Sequence, residues 1–149
     1  MYQANINDVG CKLRVICTPV REDGVQGKPC ACDTDILKLS PSLETQINAY
    51  LLAGEAEFKV IKKGKNSTQT LLVLKDGLKM KDGEALILKE EFSNHFKIYA
   101  DINNTEGYSI LIERQNGKQV VLFVNSVDER DKIVATLRSF CEKYLETLL

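Results

Sequence analysis

"SVDERDKIVATLRSFCEKYLETLL" runs from Ser126 to Leu149 and closes the chain. Ile133, Leu137, Phe140, Cys141, Tyr144 and Leu148 recur every three or four residues, which is the apolar stripe of an amphipathic α-helix. Ser126 and Glu129 form a Ser-x-x-Glu capping box that fixes where the helix begins. A helix with one apolar face needs a layer to cover it, so the residues upstream must supply that layer. Cys141 falls on the stripe and reads as a small core-facing residue rather than a nucleophile.

The upstream pattern has a different period. "AEFKVIKKG", "TQTLLVLKDG", "LKMKDG", "EALILKEEF", "HFKIYADI", "GYSILIER" and "KQVVLFVNS" are seven short apolar runs between Ala56 and Ser126. Asp76-Gly77, Asp82-Gly83 and Asn116-Gly117 punctuate them, and these pairs are turn and hairpin chemistry. Before the strands, Ser40-Pro41-Ser42 opens a short helix: Ser40 caps it and Pro41 suits its first position. Leu43, Ile47, Tyr50 and Leu51 form its stripe, and Gly54 stops it.

Seven strands and one terminal helix resemble the pleckstrin-homology superfold, over about residues 55 to 149. That resemblance implies a mainly β fold of the α+β kind. The architecture it implies is a pleckstrin-homology-like seven-stranded barrel of two orthogonal sheets, with the C-terminal helix capping one open corner. The helix of that superfold usually carries a tryptophan, and this chain has none. Phe140 or Leu137 is expected to fill that volume.

The stretch "DVGCKLRVICTPVREDGVQGKPCACD", Asp8 to Asp33, holds four of the five cysteines. A zinc cage is one reading of it. The spacing argues against zinc, because structural sites use two short Cys-x₂₋₄-Cys knuckles. Here the gaps are five residues and one residue. In "GCKLRVICTPV", Cys11, Leu13, Val15 and Cys17 alternate with Lys12, Arg14 and Thr18, as in a strand. Pro19 ends it, Asp23-Gly24 and Gly27 turn the chain, and "PCACDTDILKL" is extended again. On this reading Cys11 and Cys17 face inward, while Cys30 and Cys32 are incidental thiols.

Asp8, Gly10, Leu13, Val15, Thr18-Pro19-Val20-Arg21, Asp23-Gly24, Gly27 and Pro29 resemble the end of an immunoglobulin-like repeat. The family is that of the auxin-induced-in-root-cultures-type microtubule-associated proteins. Only the last two strands of such a repeat are present, and two strands alone cannot bury a core. The order of the chain also resembles the C-terminal region of that family. It implies a strand pair over 1–39, a linking helix over 40–54 and a pleckstrin-homology-like domain over 55–149. The unpaired strand edges allow a homodimer by strand exchange.

Net charge is −1, so no general basic field draws the protein to nucleic acid. No apolar run approaches the ~20 residues that span a bilayer. "MYQANINDVG" has neither the basic nor the apolar region of a signal peptide, and the cysteine count is odd. Reduced thiols and a cytoplasmic, cytoskeleton-associated location are expected.

No catalytic constellation emerges. His95 is the single histidine, and no nucleophile–base pair or phosphate loop is legible. No enzyme, cofactor or metal is expected. The chain reads as a non-enzymatic interaction module of a microtubule- or cytoskeleton-associated protein, with tubulin or another cytoskeletal protein as partner. The alternative is a phosphoinositide-binding membrane adaptor. Lys59, Lys62, Lys63 and Lys65 surround the first strand-loop, "FKVIKKGKNSTQ". In lipid-binding pleckstrin-homology domains that loop supplies the basic residues. The usual basic pattern on the next strand is absent, since "TLLVLKDG" has no arginine, although Lys75, Lys79 and Lys81 would add charge if they lay beside it.

Overall fold

In a computed structural model the chain divides into two units, one ending at Ser40 and the other beginning at Pro41. Residues 2–148 are described; Leu149, the last residue of the expected terminal helix, lies outside them.

In the first unit a 3₁₀ turn at Ile6–Asp8 precedes two antiparallel strands, β1 (Arg14–Cys17) and β2 (Cys30–Asp33). Asn5 caps the turn: its side chain accepts from Asn7 N–H, and the Asp8 carboxylate accepts from Asn5 N–H. The ladder continues below the strands. Thr34 N–H donates to Leu13 O, Leu37 N–H to Cys11 O and Gly10 N–H to Leu37 O. Arg14 forks onto its register partner Asp33, Nε to Oδ1 at 2.7 Å. At the far end Arg21 pairs with Asp23, and Gly24 turns the chain at φ +84°.

Here one expectation is corrected. Cys11 and Cys17 do not face a core: both are exposed, as are Cys30 and Cys32. Val15 and Ile16 lie on opposite faces of β1 and are 61% and 66% exposed. A two-stranded ribbon has no second layer within its own unit, so alternation in the sequence has nothing to bury against.

The second unit opens with α1 (Pro41–Ala53), which starts at the proline as expected. It ends at Gly54, whose N–H donates to Tyr50 O at φ +80°. A side chain there would be strained and would also meet Lys75 Cε at 2.5 Å. Ile47 is buried, and Tyr50 packs edge-on to Phe58 at 5.8 Å, with Lys132 Nζ 5.7 Å from the centre of its ring. These contacts tie α1 to the barrel and to the terminal helix.

Seven strands follow: β3 (Glu55–Lys62), β4 (Gln69–Leu74), β5 (Gly77–Asp82), β6 (Ala85–Glu91), β7 (Lys97–Asp101), β8 (Tyr108–Glu113) and β9 (Gln119–Val124). All pairings are antiparallel, in the order β6-β5-β4-β3-β9-β8-β7. β3 joins the two halves. Its first six residues pair with β4, and Ile61 and Lys62 pair with β9. Inward positions alternate along the strands: Ala56 and Val60; Leu71 and Val73; Leu78 and Met80; Ile98 and Ala100; Ile110 and Ile112; Val120 and Leu122.

The β5–β6 hairpin contains a bulge. Asp82 opposes Ala85 and Lys81 opposes Leu86, but Met80 opposes Leu88, so Ile87 is the extra residue. The shift sends Leu88 inward at 7% exposure and leaves Leu86 outside at 53%. Gly77 opens β5 because a Cβ there would stand 2.1 Å from Glu90 O.

The terminal helix, α2 (Val127–Thr147), buries Ile133, Val134, Leu137, Phe140 and Cys141. Ser126 Oγ accepts from Glu129 N–H, while the Glu129 carboxylate accepts from Asn125 N–H, one residue before the expected box partner. Leu137 and Phe140 are fully packed, as expected in the absence of tryptophan. Arg138 Nε and Nη2 both donate to Ile98 O and tie α2 to β7. The stripe stops short of its expected end: Leu148 is 62% exposed.

Candidate functional site

Three features of the second unit are candidates for contact with a partner. The first is the β3–β4 loop. β3 ends in a turn in which Lys65 N–H donates to Lys62 O, with Gly64 at φ +90°. Gln69 holds this turn from below. Its side chain is fully buried; Oε1 accepts from Lys62 N–H at 2.8 Å, and Nε2 donates to Ser67 O at 2.6 Å. A buried amide satisfied on both ends fixes the loop it bonds. Nothing in the spacing marked Gln69, because an isolated glutamine at a strand start reads as surface.

The loop lysines divide by strand parity. Lys63 and Lys65 are exposed on the turn, and Lys62 is half-buried opposite Leu122 at the barrel mouth. Lys59 lies on the outer face instead, where Nζ donates to Thr70 Oγ1 at 2.8 Å and stands 3.5 Å from Glu57 Oε1. Lys75 lies at the other end of β4, against Gly54. It does not join the loop.

The second feature is the outer face of the β3–β6 sheet. Across it Lys59, Thr70, Lys81 and Leu86 stand in one row. Glu57, Leu72, Lys79 and Lys89 make the next. Lys79 and Lys89 are therefore direct cross-strand partners of like charge. Among the described residues no carboxylate lies within ion-pair distance of Lys79, Lys81 or Lys89.

The third is a groove of about 400 Å³ between the C-terminal ends of α1 and α2. Leu51, Leu52, Phe140 and Tyr144 give it apolar walls, and Lys75 and Lys143 stand at its rim. Tyr144 donates to Glu91 Oε1 at 2.6 Å. That bond to a carboxylate, then burial, raises the tyrosine above its ordinary value of 10.0.

His95 is exposed on the β6–β7 turn. Burial, then the nearby Glu142 carboxylate, raises the Cys141 thiol, which is the reverse of what a nucleophile needs. Among the described residues no three His, Cys, Asp or Glu side chains converge as a metal site requires. Among the described residues no helix is long and apolar enough to cross a membrane.

Comparison with known proteins agrees with this architecture. The family model of the AIR9 A9 domain matches residues 1–34, which is the strand pair. The 187-kDa microtubule-associated protein AIR9 of Arabidopsis thaliana is 27% identical over 167 residues, which take in all of this chain and 10% of that protein. The chain thus spans about a tenth of the length of the relative it matches. The chain is similar to auxin-induced-in-root-cultures-type microtubule-associated proteins, as its sequence motifs indicate. Among solved structures, the PH domain of human oxysterol-binding protein-related protein 11 superposes with a TM-score of 0.53 at 10% identity. That match covers 64% of this chain and 86% of the other. The fold is pleckstrin-homology-like, a sheet-rich barrel closed by a C-terminal helix.

Proposed function

We propose that this chain is a non-enzymatic protein-interaction module of a cytoskeleton-associated protein. Its parts are the end of an Ig-like repeat over 1–39, a linking helix over 40–54 and a pleckstrin-homology-like domain over 55–149. The observation that carries the reading is joint. Similarity to a microtubule-associated protein extends over both units, and the barrel offers an exposed basic turn, an outer sheet face and a groove to partners. A barrel of this kind presents sheet faces and loops to partners, and binding needs no chemistry beyond complementarity. Co-pelleting with polymerised microtubules at low and moderate salt tests it. Saturable pelleting is the expected result. Its absence at both salts sends the microtubule contact to other parts of a longer protein and leaves this chain as an adaptor.

A second reading has one observation in its favour. Lys62, Lys63 and Lys65 sit on a turn that buried Gln69 holds in place, and a fixed basic turn suits a phosphorylated headgroup. Lys59 would join them only by giving up Thr70 and Glu57. Vesicles containing a phosphoinositide decide the matter. Binding that falls with salt and vanishes in Lys62→Glu/Lys63→Glu supports a membrane adaptor; affinity indifferent to both changes ends it.

A further inference from the structure

We propose that the outer face of the β5–β6 hairpin is a docking surface for an extended acidic peptide segment of a protein partner. The inference rests on the reading of the chain as a protein-interaction module. Lys79 and Lys89 oppose each other across the hairpin, and Lys81 stands two residues along β5 from Lys79. Like charges directly opposite are unfavourable in a sheet. Among the described residues no carboxylate relieves this pair or Lys81, whereas Lys59 on the same face is satisfied by Thr70 and Glu57. The hairpin therefore carries three cations without an ion-pair partner on its outer face, with Glu91 one row beyond the Lys79–Lys89 pair.

The spacing identifies the occupant. Lys79 and Lys81 are separated by two residues of strand, about 7 Å, and neighbouring strands lie about 4.8 Å apart. An extended peptide with acidic residues at alternate positions repeats its carboxylates at that same pitch of about 7 Å. Leu86, 53% exposed beside Lys81, offers apolar contact for the methylene groups of a facing glutamate, while the residues between point away. A membrane fits less well. Glu57 lies in the same row as Lys79 and Lys89, and β3 also carries Glu55. An anionic bilayer lying flat on the face would meet those carboxylates and Glu91 together, while a single strand laid along β5–β6 passes clear of β3 and meets Glu91 alone, one row beyond Lys89.

The test is fluorescence anisotropy on the full chain, with a labelled peptide of about 12 residues alternating glutamate and threonine. Controls are the same peptide with glutamine for glutamate, and an isomer with glutamates in blocks of two. The expected result is binding that weakens tenfold or more in Lys79→Glu/Lys89→Glu and in Lys79→Gln/Lys89→Gln, and in salt raised from about 50 to 300 mM. Lys62→Glu/Lys63→Glu should leave it within about twofold, and the glutamine peptide should not bind. Circular dichroism confirms that each variant is folded, and the milder glutamine pair guards against misfolding of the charge-reversed one.

Affinity indifferent to Lys79 and Lys89 overturns the proposal. So does equal binding of the block isomer, which would mean undirected electrostatic attraction. Vesicles containing phosphatidylserine that bind only when Lys79 and Lys89 are intact, with no peptide binding, would make the face a membrane surface instead. Microtubule pelleting separates this inference from the reading beneath it. Peptide binding without pelleting removes a direct microtubule contact from this chain and leaves the docking face standing; pelleting that ignores Lys79 and Lys89, without peptide binding, removes the docking face alone.

Discussion

Cys141 and the four ribbon cysteines share a side chain and differ in everything around it. Cys141 is buried on the inner face of α2 with its thiol raised by burial, while Cys11, Cys17, Cys30 and Cys32 are exposed. A thiol reagent applied to the native protein should label those four quickly and Cys141 only on unfolding. Mass spectrometry of the labelled peptides reads the difference, and rapid labelling of Cys141 would contradict its burial. The sequence placed Cys141 correctly because helical spacing ties it to five other apolar positions. It misplaced Cys11 and Cys17 because period-two alternation says which residues share a face, not whether anything covers that face. Tyr144 supplies a second check. Its hydroxyl donates to the Glu91 carboxylate, which raises its ionisation above 10.0. The neutral phenol is the form favoured by folding, so this contribution is complete below about pH 10 and disappears as pH rises through the raised value. A phenolate absorbance titration should show a late component that loses one tyrosine's amplitude in Tyr144→Phe and has that share move toward 10 in Glu91→Gln. Tyr2, raised chiefly by its bond to Asp8, should remain late in both.

At the level of elements, the β5–β6 hairpin is where sequence and structure part most usefully. Counting back from Asp82-Gly83 without a bulge sets Lys79 opposite Leu88. The extra residue Ile87 sets it opposite Lys89 instead. No local signal marks such a bulge; it follows from the need to turn Leu88 toward Met80 and the core. The hairpin and the strand boundaries were legible because Asp-Gly and Asn-Gly pairs interrupt apolar runs, but the like-charge pair was not. Its register has a measurable consequence. Lys79→Glu converts a repulsive cross-strand pair into an attractive one and should raise stability by about 0.5 kcal/mol, read as a higher denaturation midpoint at unchanged slope. High salt should erase the gain. A neutral or destabilising result would place Lys79 and Lys89 out of register. Gln69 was illegible for a related reason: its role arises from loop backbone brought back over it, which a one-dimensional pattern does not show.

Across the whole molecule the two units differ sharply in how much they bury. The barrel has fully packed residues in both halves, including Leu71, Met80, Ile110 and Leu122, whereas every residue of β1 and β2 is exposed. Native-state hydrogen exchange should therefore protect amides of β3, β4, β8 and β9 far longer than those of Arg14–Cys17 and Cys30–Asp33. Equal protection would show that the ribbon is covered by something, as a completed repeat or a strand-exchanged homodimer would cover it. The fold class could be read from the order of seven strands and a helix, since element order and period survive in one dimension. The partner could not, since the surfaces that would meet it are assembled from residues distant in the chain. The arrangement of β3 carries one more consequence. It is the first strand of the barrel, yet its last residues pair with β9, the final one. During synthesis β3 to β6 leave the ribosome as a meander able to pair locally, while Ile61 and Lys62 wait until residues 119–124 emerge. Until then the inner face of the meander, with Val60, Leu71 and Met80, stays open to water. The nascent chain at that length is a natural client for a chaperone, and a pause in translation just before β9 would prolong that exposure.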